Sequence, residues 1–216
     1  MFTLPPLSEN ELLESASRIS GKTLQHIANQ QGIETPDNQL HHKGWVGQLL
    51  ELSLGATAGA LPEPDFQHIG VELKTLPLNK KGTPKESTYV CAINLTQIES
   101  QWEKSLVKRK LSRVLWLPIE ADPDIPLAAR RIGSAILWSP DEEQETTLRR
   151  DWEELMDMIA TGELEQITAY QGKYLQVRPK AANARALRNG INSEGEEILT
   201  LPRGFYLRTS FTRQLL

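Results

Sequence analysis

Leu61–Thr75 reads LPEPDFQHIGVELKT, and the organisation of the whole chain turns on these fifteen residues. From Ile69 to Thr75 apolar and polar residues alternate, so in an extended strand Val71 and Leu73 face one side while Glu72 and Lys74 share the other. Asp65 precedes the strand by a few residues and arrives beside Glu72 if His68-Ile69-Gly70 folds back as a hairpin or bend. Two carboxylates held together repel each other unless something neutralises them, and a hard divalent cation does so with oxygen ligands at about 2.0–2.1 Å. Mg²⁺ suits one or two carboxylates completed by water and phosphate oxygens, which is the arrangement that hydrolyses a phosphodiester. Lys74, one pleat beyond Glu72, can orient an attacking water and hold charge on the phosphate. Taken alone, Glu and Lys at alternate positions describe a solvated strand face equally well. Glu72-Leu73-Lys74 is, however, the only place in the chain where an acid is followed two residues later by Lys, and Pro64-Asp65 stands just upstream of it.

Outward from that stretch, composition sets the limits. A chain of 216 residues can build one large domain or two small lobes around an ample core. A single cysteine, Cys91, lies in an apolar run and rules out an intrachain disulfide or a cysteine-based zinc site. No apolar run approaches the roughly 18 residues of a membrane span. MFTLPPLSEN lacks the basic start and apolar core of a secretory signal, so a reducing cytoplasm is the expected compartment. A net charge of −4 argues mildly against a general nucleic-acid binder, but the charge is unevenly spread. From Lys173 onward eight Lys and Arg face three acids, a second basic knot holds Lys104, Lys108, Arg109, Lys110 and Arg113, and Asp141–Asp157 is acidic. Such segregation fits a protein with one face on phosphates and another in water, or simply solvated helix faces.

Ser8-Glu9-Asn10-Glu11 opens an amphipathic helix that stops at Gly21, and Thr23–Gln31 is a second helix ending at Gly32. Gly44–Leu54 is a mostly apolar, buried helix interrupted by Glu51. A lone carboxylate there is costly, so Glu51 is either paired with a partner such as Lys74 or a third acid of the site. GATAG at 55–59 is a candidate flexible joint. Asn79–Ser87 is expected to be a hairpin loop, with Thr88–Leu95 returning as a strand in which Tyr89 faces either the core or DNA. Arg113–Leu117 should be a buried strand ended by Pro118, and Arg130–Trp138 another. Ser139-Pro140-Asp141-Glu142 then caps a long helix to Thr161. The last third alternates: strand Tyr174–Arg178, helix Ala181–Arg188, strands Ile198–Leu201 and Phe205–Arg208. There is no phosphate-binding glycine loop, and the mixture of strands and helices is α/β.

KGWVGQLLE, PDFQHIGVELKT, VLWLPIE, LWSP, DWEELMDMI, RPKAANA and LTLPRGFYL together resemble the MutH family of mismatch-repair endonucleases, within the restriction-endonuclease-like superfamily, over essentially the whole chain. The resemblance implies a mixed central sheet flanked by helices, a single domain over residues 1–216 with two lobes around a DNA cleft, and a hinge near 55–59. It implies a Mg²⁺-dependent nick 5′ to the G of hemimethylated GATC, on the unmethylated strand, with Mn²⁺ as an expected substitute metal. A monomer acting on double-stranded DNA, activated by MutL after mismatch recognition by MutS, and without any membrane association, is the implied setting. Carried over by motif, Asp65, Glu72 and Lys74 are the catalytic trio, Glu51 supports the metal, and Lys110 lies near the cleft. The family pattern points for DNA contact to Lys43 and Gly44, to Tyr89, which stands where the family carries Phe, to Arg178-Pro179-Lys180, and to Tyr206. Arg is the commonest reader of guanine in the major groove, and a rigid ring set against adenine N6 can sense a methyl group there. A GATC restriction enzyme that cuts both strands, or a catalytically silent DNA-binding module of the same fold, are the competing expectations.

Overall fold

The structure is a computed structural model that describes residues 3–36, 44–95, 97–168, 170–180 and 187–216. Its chain divides into two compact units, the first built from Met1–Glu86 and Ser112–Ser139, the second from Ser87–Leu111 and Pro140–Gln214. Residues 55–59 lie inside the first unit, and the chain passes between units after Glu86, Leu111 and Ser139.

In the first unit α1 (Glu9–Ile19), α2 (Leu24–Gln31) and α3 (Trp45–Leu54) pack on a sheet of β1 (Glu72–Leu78), β3 (Val114–Glu120) and β4 (Ile136–Trp138), in the order β1-β3-β4. Ser8 and Thr23 start the first two helices by accepting N–H bonds from Glu11 and His26. The helices bury Leu12, Ala16, Leu24, Ile27, Leu49, Leu50 and Leu54 in one cluster with Val71, Leu73, Leu115, Leu117 and Ile119. β1 and β3 run parallel, Leu73 opposite Leu115 and Thr75 opposite Leu117, while β4 is antiparallel to β3. The loop expected at Asn79–Ser87 does turn back on the end of β1, with a Leu78–Pro84 bridge and the Lys85 N–H on the Pro77 carbonyl (2.9 Å), but the strand that follows does not pair with β1. β1 lies parallel to β3, whose apolar run Val114–Ile119 is buried throughout, and the intervening chain passes through the second unit.

Pro118 does not end β3, which runs on to Glu120. The Pro118 carbonyl accepts from Gly133 N–H (2.7 Å) on the side where β4 has already stopped, so the missing proline N–H breaks no ladder bond. Conversely, the strand expected over Arg130–Trp138 shrinks to Ile136–Trp138, preceded by a 3-10 turn at Leu127–Ala129 and single bridges at Arg131 and Ile132.

The second unit holds an antiparallel sheet of β2 (Thr88–Ala92), β8 (Arg203–Leu207) and β5 (Leu175–Pro179), in the order β2-β8-β5. It also holds the helices α4 (Leu106–Leu111), α5 (Glu142–Ala160) and α6 (Thr209–Thr212), and the hairpin of β6 (Arg188–Ile191) with β7 (Glu197–Thr200). The strands described thus fall into three small sheets. α5 begins two residues later than expected: Asp141 is the N-cap and forms a reciprocal capping box with Gln144. Ser139, the expected cap, donates its hydroxyl to the Ser112 carbonyl at 2.7 Å instead. The helix anticipated at Ala181–Arg188 falls mostly outside the described residues, and Arg188 itself opens strand β6. Among the described residues no helix is long and apolar enough to cross a membrane.

Candidate active site

The turn ahead of β1 brings Asp65 to the strand. Phe66 and Val71 exchange backbone bonds across it, and Gly70 supplies the left-handed φ of +66° that closes the turn. Asp65 then lies level with the strand, where its Oδ2 accepts the Leu73 N–H at 2.8 Å. Its carbonyl accepts from Thr57 and Ala58 N–H, which fixes the loop on its other side. Glu72 is held by its own N–H on the Arg113 carbonyl (2.9 Å) and by its place opposite Val114. The two-residue period of the strand sets Glu72 and Lys74 side by side, away from the core face of Val71 and Leu73. Lys74 Nζ stands 2.6 Å from Glu72 Oε1. The bend that was conditional in the sequence is thus formed, and the Glu-x-Lys pair is in contact.

All three charged groups are buried: Asp65 is 8% exposed, Glu72 2% and Lys74 9%. Carboxylates in a place that water hardly reaches are costly unless cations or hydrogen-bond donors meet them. Their ligand atoms are hard oxygens, which is the chemistry of Mg²⁺. Asp65 and Glu72 therefore fit a divalent ion. Glu51 sits half-buried on α3 with its carboxylate turned back along the helix, where its Oε1 would lie 3.7 Å from a Cβ placed on Gly47. Among the described residues no group of three or more His, Cys, Asp or Glu side chains is gathered closely enough to hold a metal ion, so Glu51 does not complete a preformed cage with Asp65 and Glu72.

Gly44 is the N-cap of α3 and, with Gly47, Thr75, Pro77, Lys85 and Arg130, lines a cavity of about 640 Å³ in the first unit. Lys43 lies outside the described residues. Lys110 belongs to α4 in the second unit, on a helix tied to α5 by its neighbour Lys108, which contacts Glu103 and sits 3.1 Å from Glu145. The hydrogen bond with Glu103 and the second one with Glu145 push the Lys108 ammonium above its usual range despite burial. Glu145 also accepts from Trp102 Nε1 at 2.8 Å. The basic knot expected over Lys104–Arg113 is therefore partly neutralised: Lys108 is paired, and Arg113, in the other unit, binds Glu9 at 2.6 Å.

A second constellation occupies one face of the β2-β8-β5 sheet. Tyr89 lies opposite Tyr206, their rings 5.3 Å apart and edge-on. Lys180 Nζ is 4.0 Å from the Tyr89 ring centre and donates to its hydroxyl at 2.5 Å. Arg178, exposed, sits 5.7 Å from the Tyr206 ring and donates to Ser87 Oγ at 2.6 Å. Burial raises the Tyr206 phenol above its ordinary value, with Arg178 opposing weakly. Gly204, opposite Arg178, leaves room for this stacking, since a Cβ there would come within 3.0 Å of Tyr89 Cε2 and of the Cys91 carbonyl. Tyr89, Tyr206, Arg178, Pro179 and Lys180 are thus neighbours on β2, β8 and β5 and just beyond them. Ser87 and Gly204 were missed in the sequence reading. A glycine inside an aromatic strand is the signal that could have flagged the second.

The DNA mismatch repair enzyme MutH family model matches residues 54–151. DNA mismatch repair protein MutH of Escherichia coli O6:K15:H31 (strain 536 / UPEC) is 56% identical over 213 residues, covering 98% of this chain and 93% of the relative. The protein of the same name from Shigella flexneri serotype 5b (strain 8401) is 55% identical with the same coverage.

Proposed function

Since the chain belongs to the MutH family of DNA mismatch repair enzymes, with its restriction-endonuclease-like α/β fold, and is thus a DNA endonuclease, we propose that it nicks the unmethylated strand of hemimethylated GATC, 5′ to the G. The observation that carries the reading is the buried set of Asp65, Glu72 and Lys74 at the start of β1. Asp65 and Glu72 would hold Mg²⁺, which when bound polarises the phosphate and lowers the pKa of a coordinated water. The protein's own part is orientation. The Leu73 N–H fixes one Asp65 oxygen, so that carboxylate meets its ligand without reorganising. Lys74 balances Glu72 before the phosphate arrives, and its ammonium is within reach of charge that develops there. Glu51 and Lys110 are proposed as supporting groups.

Recognition is assigned to the sheet face of the second unit and to Lys43 and Gly44 near the start of α3. Arg178 is the candidate guanine reader, Lys180 and Pro179 follow the backbone, and Tyr89 supplies a stacking surface beside Tyr206. Tyr206, half-buried beside Tyr89, is the candidate sensor of the adenine N6 methyl group. MutL is proposed as the activator, MutS as acting through it, and the cytoplasm as the site of action of a monomer.

Incubation of supercoiled plasmid carrying one hemimethylated GATC with Mg²⁺ tests the reading. Open-circle product that disappears when both strands are methylated supports it. Linear product would favour a restriction enzyme, and tight binding without cleavage a silent module.

A further inference from the structure

Asp151 is the one acidic residue of α5 that lies on its buried face. It lies in the middle of α5 and is 1% exposed, whereas its neighbours Glu153 and Glu154 are in water. A buried carboxylate is costly unless several donors meet it. Here both donors are backbone: Asp151 Oδ2 accepts the N–H of Tyr174 at 2.5 Å and of Leu175 at 3.0 Å. Leu175 is the first residue of β5, the strand that ends in Arg178 and Pro179.

The same turn is gripped from its carbonyl side. Arg208, directly after β8, donates from Nη2 to the Gln171 carbonyl (2.6 Å) and from Nε to the Gly172 carbonyl (3.0 Å). Its own N–H goes to the Tyr174 carbonyl at 2.8 Å. Gly172 has φ +75°, and a Cβ there would fall 2.2 Å from the Leu175 carbonyl oxygen, so this turn admits only glycine at that position. An anion and a cation thus clasp residues 171–175 between α5 and the end of β8.

What the clasp controls is register. β5 meets β8 with Gln176 opposite Tyr206 and Arg178 opposite Gly204, which is what places Arg178 over the Tyr206 ring. A slip of one residue would turn Arg178 to the other face of the sheet. We infer that Asp151, together with Arg208, is a positioning residue for DNA recognition: it sets β5 against β8 and so fixes where Arg178 and Tyr206 present themselves to the GATC base pairs. The inference rests on the GATC reading given above.

The test compares the full-length wild type with D151A and D151N, measuring affinity for a GATC duplex and for a permuted duplex of equal length. D151A should lower the GATC-to-permuted affinity ratio by about tenfold or more, the loss expected when one bidentate base contact is misplaced. Affinity for the permuted duplex should stay within about twofold. In nicking, KM for GATC should rise while kcat holds. D151N keeps an acceptor oxygen and should restore most of the ratio. Hydrogen exchange of the Leu175 amide, fast in D151A and slow in D151N, reads the clasp without DNA. If D151A does not fold, R208M is read by the same ratio and should lower it.

An unchanged ratio in D151A or R208M overturns the inference while leaving the GATC reading intact. An equal loss of both affinities and of kcat, unrelieved in D151N, overturns it too, because that is the signature of general unfolding. Equal binding of both duplexes by the wild type would overturn the GATC reading and the inference with it.

Discussion

Glu72 and Lys74 stand 2.6 Å apart with almost no solvent on either, so neither is tolerable alone. Removing one partner of a buried ion pair typically costs about 3–5 kcal/mol, whereas replacing both by apolar groups of similar volume is often neutral. Urea unfolding should therefore find K74M destabilised by roughly that amount and E72L/K74M close to wild type in stability. Both variants should have lost nicking by at least about 100-fold, since a catalytic group of this kind contributes roughly 10²–10⁴ in rate. A K74M protein as stable as wild type would mean that the pair is not closed in solution. At Tyr206 the expectation is different in kind. Y206A should nick fully methylated GATC measurably better relative to hemimethylated GATC, while Y206F, which keeps the ring, should keep most of the discrimination; gel assays on the two substrates decide it. This scale was the most legible in the sequence. Period-two alternation is a local property, so Glu72 and Lys74 could be put on one face from seven residues of text. Asp151 was passed over although its spacing from Leu148 and Leu155 puts it on the apolar stripe of the helix; what the sequence could not show is that the backbone N–H groups of Tyr174 and Leu175 meet it there.

Elements explain where sequence reading slipped. Strand pairing is a long-range choice, and the partners of β1 and β2 lie dozens of residues away, so the turn after β1 was readable but not that β1 pairs with β3 and β2 with β8. The start of α5 was misread by two residues because Ser139 and Asp141 both have capping side chains and only tertiary context draws the Ser139 hydroxyl to Ser112. D141A should cost about 1 kcal/mol of stability in thermal unfolding, as the loss of an N-cap does. Glu165 links another pair of elements: its carboxylate accepts from the Thr200 hydroxyl at 2.7 Å and from Arg203 at 2.6 Å, joining the end of β7 and the start of β8. These two bonds hold its pKa below the ordinary carboxylate value despite some desolvation. The folded form thus gives up its proton more readily than the unfolded chain. Its contribution is complete above pH 4.5 and is lost as pH falls through that value toward the depressed folded-state one. The protection factor of the Thr200 amide, that is, its exchange relative to the intrinsic rate at each pH, should fall on acidification in wild type and lose that pH dependence in E165Q.

For the molecule as a whole, charge is partitioned more finely than the basic and acidic blocks of the sequence suggested. Arg203 and Arg208 serve internal bonds, Lys108 and Arg113 are in ion pairs, and Arg178 and Lys180 stand exposed at the aromatic sheet face. On the proposed reading, a chain of net charge −4 would bind DNA through such a local face. Each phosphate contact contributes about 0.9 to the slope of log affinity against log salt, so K180A should reduce that slope by about one while weakening GATC and permuted duplexes alike. R178A should instead weaken GATC selectively. The α/β class and the family were legible from the whole sequence because the shared stretches run from KGWVGQLLE to LTLPRGFYL. The division into units after Glu86, Leu111 and Ser139 was not, since Pro140 reads as the start of a helix and no glycine or proline adjoins Leu111.

Asp65, Glu72 and Lys74 are proposed to cut one strand of hemimethylated GATC with the help of a divalent ion. The most direct measurement labels the two strands of a hemimethylated duplex separately and follows cleavage by wild type and E72Q with Mg²⁺ and with EDTA. The account predicts a single break 5′ to the G on the unmethylated strand, made by wild type with Mg²⁺ alone, and none by E72Q. Undiminished cleavage by E72Q, or equal breaks in both strands, would contradict it.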